Sequence, residues 1–246
     1  MGSAVDSAPF LTSRLDFTEH IRVLVGPGKQ GFTVHKDIIS RHSPFFRAAA
    51  AERWASTDHH KAIELPEDDP ALFATYLHCV YHGAVVFGDE GSLRYNLNEY
   101  LALYTMADKF RDLKTANLVI DQLMARTDEL DQVPGPSDIT AFYETSAENS
   151  PLRRLMVDFY TYEVGPGDIT RGLGSKLPSA FLTDFFVKYG QLKGGDRSRS
   201  VRETFEKSLR KSMSRCEYHQ HDETHLACKD GAAGGKAGSR VGSLGK

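Results

Sequence analysis

Alternating hydrophobic and polar residues mark three short strands in the first half of the chain. Residues 21–25 alternate and are rich in β-branched side chains, and a Gly/Pro-rich turn at 26–31 separates them from a second run at 32–35. Two such runs around a turn predict a β-hairpin. Residues 62–65 form a third predicted strand, which Pro66 closes.

Apolar residues three and four positions apart predict helices around these strands. Two short helices are predicted at residues 36–41 and 45–51. Ser43 directly precedes Pro44, a pair that is typical of a helix cap and a first helical position. Three broader apolar stripes follow, and they consist of Leu72, Phe73, Tyr76, Leu77, Val80 and Tyr81; of Tyr100, Leu101, Tyr104, Ala107 and Phe110; and of Leu113, Ala116, Ile120 and Leu123.

The order β-β-α-α-β-α-α-α, with a helical majority, predicts an α+β domain over residues 15–125. Its core should include Phe73, Leu77 and Tyr104 on facing helices. The rest of the chain is expected to consist of a flexible N-terminus at 1–14, a linker at 126–137, a helical region at 138–228 and a disordered Gly/Ala/Lys-rich tail at 229–246.

Charge is unevenly distributed along the chain. Its 246 residues carry a formal net charge of -3, which favours no polyanionic partner. Residues 188–215 nevertheless contain nine Lys/Arg against three Asp/Glu, and a predicted helix at 198–215 has a basic face. A solvated helix face is the simpler interpretation, and binding of nucleic acid is the alternative one.

Cysteine usage and hydropathy indicate the compartment. Cys79, Cys216 and Cys228 are too few for a secreted disulfide scaffold, and their number is odd. The N-terminus has no basic start, and no stretch approaches the ~20 apolar residues that span a bilayer. We therefore expect an intracellular protein of the cytoplasm or nucleus that makes no membrane contact.

Two segments of the chain resemble the BTB/POZ family. In residues 34–46 a strand ends in His35, a short helix follows, and a serine precedes an aromatic pair. In residues 63–83 a strand reading Ile-Glu-Leu leads into a helix that closes with Tyr81-x-Gly. The resemblance covers about residues 17–125, and the chain is similar to the short stand-alone proteins of this family.

The resemblance implies a BTB/POZ fold, in which a small sheet is flanked by a helical cluster, followed here by a mostly α-helical C-terminal extension. It also implies protein–protein interaction without catalysis. Many members carry a cullin-contacting face that makes them substrate adaptors of a ubiquitin ligase, and here that face would include residues 69–81 and the next helix pair. The alternative is a transcriptional or chromatin regulator that uses the helix 198–215 on nucleic acid.

Dimerisation along the first strand and helix is a further implication, and here the chain departs from the family. Many members that form tight homodimers carry an aspartate just before the first strand, where this chain reads Thr-Glu-His-Ile at 18–21. We therefore predict a weak or partner-dependent homodimer through an apolar N-terminal edge. The candidate interaction residues are Leu15, Phe17, Ile21, Asp69, Phe73 and Tyr76.

The residues that resemble catalytic or phosphate-binding motifs have simpler interpretations. No nucleophile and carboxylate are spaced around His35 as a triad would require, so we interpret it as a strand-end histidine that bonds neighbouring backbone. The acidic run 67–69 precedes a helix and is interpreted as capping. Glycines in the turn 26–31 open no helix that could cradle a phosphate. We expect no catalytic residues and no organic cofactor.

A cluster of cysteines and histidines near the C-terminus predicts one structural zinc ion. Cys216 and His219 are separated by two residues, as are His225 and Cys228, and five residues lie between the pairs. Four such donors suit a tetrahedral Cys2His2 site, and His221 could replace His219. A site with four protein ligands has no open position, so its role would be structural.

Overall fold

A computed structural model of the chain describes residues 14–55, 62–87, 97–130, 132–193 and 215–222. The chain divides into two compact units, Met1–Leu123 and Met124–Lys246, and the boundary falls within one helix. No helix of the described residues is both long and apolar enough to cross a bilayer.

The first unit has the predicted order of strands and helices. Its α+β fold, a small sheet with a helical cluster, is confirmed. The elements are β1 (His20–Val25), β2 (Gln30–His35), α1 (Lys36–His42), α2 (Pro44–Ala55), β3 (Ile63–Leu65), α3 (Pro70–His82), α4 (Leu97–Lys109) and α5 (Leu113–Leu130), of which α5 crosses the unit boundary.

Three strands form the sheet in the order β2-β1-β3. The hairpin partner β2 runs antiparallel to β1, with Ile21 opposite Val34, and β3 runs parallel to β1, with Val23 opposite Ile63. Alternation along β1 buries Ile21 and Val23 and leaves its polar residues at the surface, as a sheet with one covered face requires. The turn after β1 begins at Gly26, whose φ of 75° favours glycine.

An aromatic cluster fills the space between the helices of this unit. Phe46 and Phe110 pack with ring centroids 4.9 Å apart, Tyr76 lies 5.1 Å from Phe110, and Phe73 is fully buried beside them. These residues come from α2, α3 and the turn after α4, so their packing joins elements that are far apart in the sequence. Leu77 is only partly buried, which corrects the expectation that it lies in the core with Phe73 and Tyr104.

Buried polar side chains cap two helices of this unit, α2 and α5. The Ser43 side chain caps α2, because its Oγ accepts the N–H of Phe46 at 3.2 Å and donates to the carbonyl of Phe110 at 2.6 Å. Asp112 caps α5 by accepting the N–H of Thr115 at 3.0 Å. The Asp112 carboxylate also accepts the hydroxyl of Tyr76 at 3.1 Å, which ties α5 to α3.

The capping role predicted for the acidic run before α3 is confirmed for Asp69. Its carboxylate accepts the N–H of Leu72 at 2.7 Å. The neighbouring Asp68 forms an ion pair with Lys109 at 2.7 Å. The helix ends at Gly83, whose φ of 66° lies in the left-handed region.

The second unit is helical in its described residues, as expected for the C-terminal extension. Its elements are α6 (Pro136–Thr145), α7 (Pro151–Phe159), two π-helical turns (Tyr160–Val164 and Ile169–Leu173) around the short α8 (Gly165–Asp168), a 3₁₀ turn (Gly174–Lys176), α9 (Ser179–Lys193) and a second 3₁₀ turn (Arg215–Glu217). Phe181 lies at the centre of its core, 4.9 Å from Tyr160 and 5.5 Å from Tyr143 between ring centroids.

A buried arginine joins α6 to α7 in this unit. Arg153 donates to the carbonyls of Tyr143 and Ser146 at 2.6 and 2.5 Å, and its guanidinium lies 4.2 Å from the centre of the Tyr143 ring. The two carbonyls belong to the C-terminal end of α6, where the helix dipole favours a cation. The buried charge is therefore matched by acceptors on one side and a π face on the other.

The structure corrects both ends of the predicted linker at 126–137, because α6 begins at Pro136, and it leaves several predicted segments undescribed. Because α5 continues to Leu130, residues 126–130 are helical and do not belong to a linker. The N-terminus up to residue 13, the basic helix at 198–215 apart from Arg215, and the tail at 229–246 lie outside the described residues.

Candidate protein-interaction surface

Residues 14–19 are held against the start of α1 by polar contacts. Asp16 accepts the N–H and the hydroxyl of Thr18 at 2.8 and 2.6 Å, and its own N–H donates to Asp37 at 3.0 Å. The side chain of Lys36 pairs with Glu19 at 2.7 Å. A segment of six residues therefore follows the edge of the domain in a fixed position.

Charge stabilises this attachment. A hydrogen bond from Arg41 lowers the pKa of Asp37 below its ordinary value, and the Thr18 hydroxyl does the same for the pKa of Asp16. These contacts favour the ionised form of both carboxylates, which accepts the hydrogen bonds that fix the segment.

The attached segment presents two large apolar side chains to solvent. Leu15 is 39% exposed and Phe17 is 55% exposed. Phe17 packs edge-on against His35, with ring centroids 5.5 Å apart, and His20 lies 4.7 Å from the same ring. These residues form an exposed aromatic patch, which we call the N-terminal edge.

His35 connects this edge to the end of α3. Its backbone N–H donates to the Tyr81 hydroxyl oxygen at 3.0 Å, and its Nδ1 lies 2.9 Å from the same oxygen. Since that oxygen already accepts the backbone N–H, it can donate its own proton to Nδ1. The partner of the ring is thus a hydroxyl 46 residues away, which corrects the interpretation that the ring bonds neighbouring backbone.

Three of the six predicted interaction residues are not at the surface. Ile21 is 2% exposed, and Phe73 and Tyr76 are fully buried. Ile21 points to the covered face of the sheet, while the other two belong to the aromatic cluster and to the hydrogen bond with Asp112. They stabilise the domain and cannot contact a partner in this conformation, so their assignment to the interaction surface is wrong.

The other three predicted residues remain accessible. Leu15 and Phe17 lie on the N-terminal edge, and Asp69 is exposed at the start of α3. Tyr81 joins this surface at 38% exposure, although the apolar stripe of α3 placed it in the core. Its position at the last turn of the helix, two residues before Gly83, is the sequence feature that could have indicated exposure.

The outer side of α3 offers a second accessible face. Ala71 and Ala74 are exposed, and His78 and His82 follow along the same side at helical spacing. The small alanine side chains leave room for the backbone of a partner to approach closely. On the inner side, burial raises the pKa of the Cys79 thiol to about 12, so this thiol is neutral and unreactive.

The predicted zinc ligands are described in part. Cys216 Sγ lies 3.0 Å from His221 Nε2, and the N–H of His219 donates to the Cys216 carbonyl at 3.3 Å. His225 and Cys228 lie outside the described residues. Where side chains are placed, no three His, Cys, Asp or Glu residues gather around a common centre. The four-ligand site stays a prediction.

Comparison with known proteins agrees with this fold. Residues 16–116 match the sequence model of the BTB/POZ domain. No curated protein matches the chain. The matched region begins at Asp16 and ends within α5, so it contains the whole sheet, α1 to α4, the outer side of α3 and all of the N-terminal edge except Leu15. The chain therefore contains a BTB/POZ domain, a module of protein–protein interaction, at residues 16–116.

Proposed function

We propose that this protein is a non-enzymatic substrate adaptor of a cullin-based ubiquitin ligase. The observation that carries the proposal is the BTB/POZ domain at residues 16–116, because many domains of this family bind cullins. In this role the domain holds the ligase, and another surface of the chain recruits the target. Such a protein acts in the cytoplasm or the nucleus.

The cullin would bind the outer side of α3. The exposed stripe of Ala71, Ala74 and His82 supports this choice, since a partner helix can lie against small side chains without displacing larger ones. Asp69 contributes a charge at one end of the face while its capping contact holds it in place.

Self-association would use the N-terminal edge instead. Leu15 and Phe17 supply apolar area. The contact between His35 and Tyr81 fixes the position of the surface on which they lie. This patch of two side chains is small compared with stable interfaces, which bury ~800 Å² on each partner. We therefore propose a weak dimer that a partner protein can strengthen.

The adaptor role is tested by calorimetric titration of the full chain with a purified cullin N-terminal domain. Ala74→Glu places a charge at the centre of the α3 face, and we expect it to weaken binding ~10-fold, equivalent to ~1.4 kcal/mol. Ala48→Glu is the matched control, because Ala48 is exposed on α2 of the same unit. The affinity of Ala48→Glu for the cullin should equal that of the wild type. Wild-type protein that binds no cullin at a concentration of ~100 µM would overturn the adaptor proposal.

A transcriptional or chromatin regulator is the second candidate function. The nine Lys/Arg against three Asp/Glu at residues 188–215 are the observation that favours it. If this basic stretch binds DNA, electrophoretic mobility shifts should weaken steeply between low and moderate salt as counterions are released. DNA binding of this kind without cullin binding would favour the regulator.

A further inference from the structure

A short segment near the C-terminus lies docked on the second unit. In residues 215–222, which we call the strap, Tyr218 is fully buried and its hydroxyl donates to Asp158 Oδ2 at 2.6 Å. Asp158 belongs to α7 and is 60 residues earlier in the chain. A deeply inserted tyrosine thus anchors the strap.

Charged groups of α7 and α9 complete the attachment. Lys188 Nζ lies 2.8 Å from Asp158 Oδ1, so the acceptor of the tyrosine hydroxyl is held by an ion pair with α9. Arg154 donates to the backbone carbonyl of Glu217 at 3.2 Å. The second unit thus offers a pocket for one side chain and, beside it, a hydrogen-bond donor for the carbonyl of the preceding residue. Such an arrangement recognises an extended peptide.

A cavity of about 460 Å³ adjoins the docked strap. Val157 and Val187 provide apolar surface in it, while Glu148, Gln191 and Arg154 line its polar parts. Glu217 of the strap borders the cavity on one side. A ligand longer than the strap could therefore keep the strap's contacts and make additional ones in the cavity.

We propose that this groove between α7 and α9 docks a tyrosine-containing peptide of a partner protein, and that the strap occupies the groove in cis until the peptide displaces it. The partner's tyrosine donates to Asp158, an apolar residue beside it packs on Val157 and Val187, and a Lys or Arg reaches Glu148. The groove lies in the second unit, outside the BTB/POZ domain, so it can recruit a target whether or not a cullin binds.

The proposal predicts competition between the strap and an added peptide. A tethered ligand acts at an effective concentration of the order of mM, so it masks its own site from dilute peptide. We expect a labelled synthetic peptide with the sequence of residues 215–222 to bind full-length Tyr218→Ala protein at least 10-fold more tightly than wild type. Tyr218→Phe removes only the hydroxyl and should unmask the site to a smaller extent, which provides a readout if the alanine variant does not fold.

Two further titrations test the recognition itself. Replacing the peptide's tyrosine with phenylalanine should weaken its binding ~10-fold, because a hydrogen bond to a charged group is lost. Asp158→Asn in the Tyr218→Ala background should weaken the original peptide similarly, whereas Glu144→Gln, an exposed acid on α6, should leave it unchanged.

Three results would overturn the proposal. One is peptide binding that is no tighter in Tyr218→Ala than in wild type. Another is binding that does not depend on the peptide's tyrosine. The third is a wild-type dimer that becomes monomeric in Tyr218→Ala, because a second copy of the chain would then be the ligand of the groove. Titration of the cullin measures none of these quantities, so the outcome is independent of the adaptor proposal.

Discussion

Replacing Asp112 is the strongest test of how the BTB/POZ domain is stabilised. It is fully buried, caps α5 through the N–H of Thr115, and accepts the hydroxyls of Thr115 and Tyr76 at 2.7 and 3.1 Å. Loss of a helix cap costs ~1 kcal/mol, and hydrogen bonds to a charged group contribute ~1.5–3 kcal/mol each. Removing the buried charge also relieves a desolvation penalty, so the net loss is smaller than this sum. We expect Asp112→Ala to lower the free energy of unfolding by ~2–4 kcal/mol.

Tyr76→Phe dissects the same network. This variant removes one hydroxyl and leaves the cap intact, so we expect a loss of ~1 kcal/mol. In Asp112→Ala the Tyr76 hydroxyl has already lost its bond to Asp112, so Tyr76→Phe has no such bond left to remove. The double variant should therefore be at least as stable as Asp112→Ala alone, and the two effects should not add.

The measurement is equilibrium denaturation followed by tryptophan fluorescence. Trp54 is the sole tryptophan of the chain and belongs to α2, so its signal reports on the first unit. Asp108→Ala is the matched control, since Asp108 is exposed on α4. If Asp112→Ala costs no more than Asp108→Ala, or if the losses of the double variant add, the buried network is not what joins α3 to α5.

Three other predictions concern the N-terminal edge and the C-terminal cysteines. Phe17→Ala should shift sedimentation equilibrium towards the monomer, while Phe186→Ala, at a similarly exposed phenylalanine of the second unit, should not. Because the pKa of Asp37 is lowered in the folded protein, the stabilisation by its carboxylate is present above pH ~4 and is lost as the pH falls through the lowered pKa. Thermal unfolding should show this loss, a few tenths of a kcal/mol, in wild type but not in Asp37→Asn. Elemental analysis of protein purified without chelator should find about one equivalent of zinc, which Cys216→Ser with Cys228→Ser abolishes; less than about a tenth of an equivalent in wild type would contradict the site.

The sequence predicts the local structure of the BTB/POZ domain more completely than its surface. Periodicity places α3, and the cap at Asp69 and the glycine after His82 mark its ends correctly. Whether a residue of that helix meets solvent depends on what packs against it. Tyr76 is buried because its ring packs on Phe110, and its hydroxyl finds an acceptor in Asp112, 36 residues later. Such pairings have no local signature.

The candidate sites show the same limit. The resemblance implied that Ile21 and Phe73 contact a partner, but the alternation of β1 and the aromatic cluster bury them. The docking of Tyr218 could not be predicted, because a single aromatic residue in a polar stretch has no periodic neighbours. Its acceptor, Asp158, is brought to it by the tertiary fold of the second unit.

The mixed sheet has a consequence for the order in which the domain can assemble during synthesis. β1 and β2 are adjacent in the chain and can pair as soon as residue 35 has left the ribosome, whereas the parallel partner β3 ends at Leu65. At translation rates of about 5–20 residues per second, the intervening 30 residues take roughly 2–6 s. Throughout that interval the nascent hairpin exposes the unpaired edge of β1, which is a template for incorrect strand pairing. Slow codons or premature termination between residues 35 and 65 should therefore favour aggregation more than the same events after residue 65.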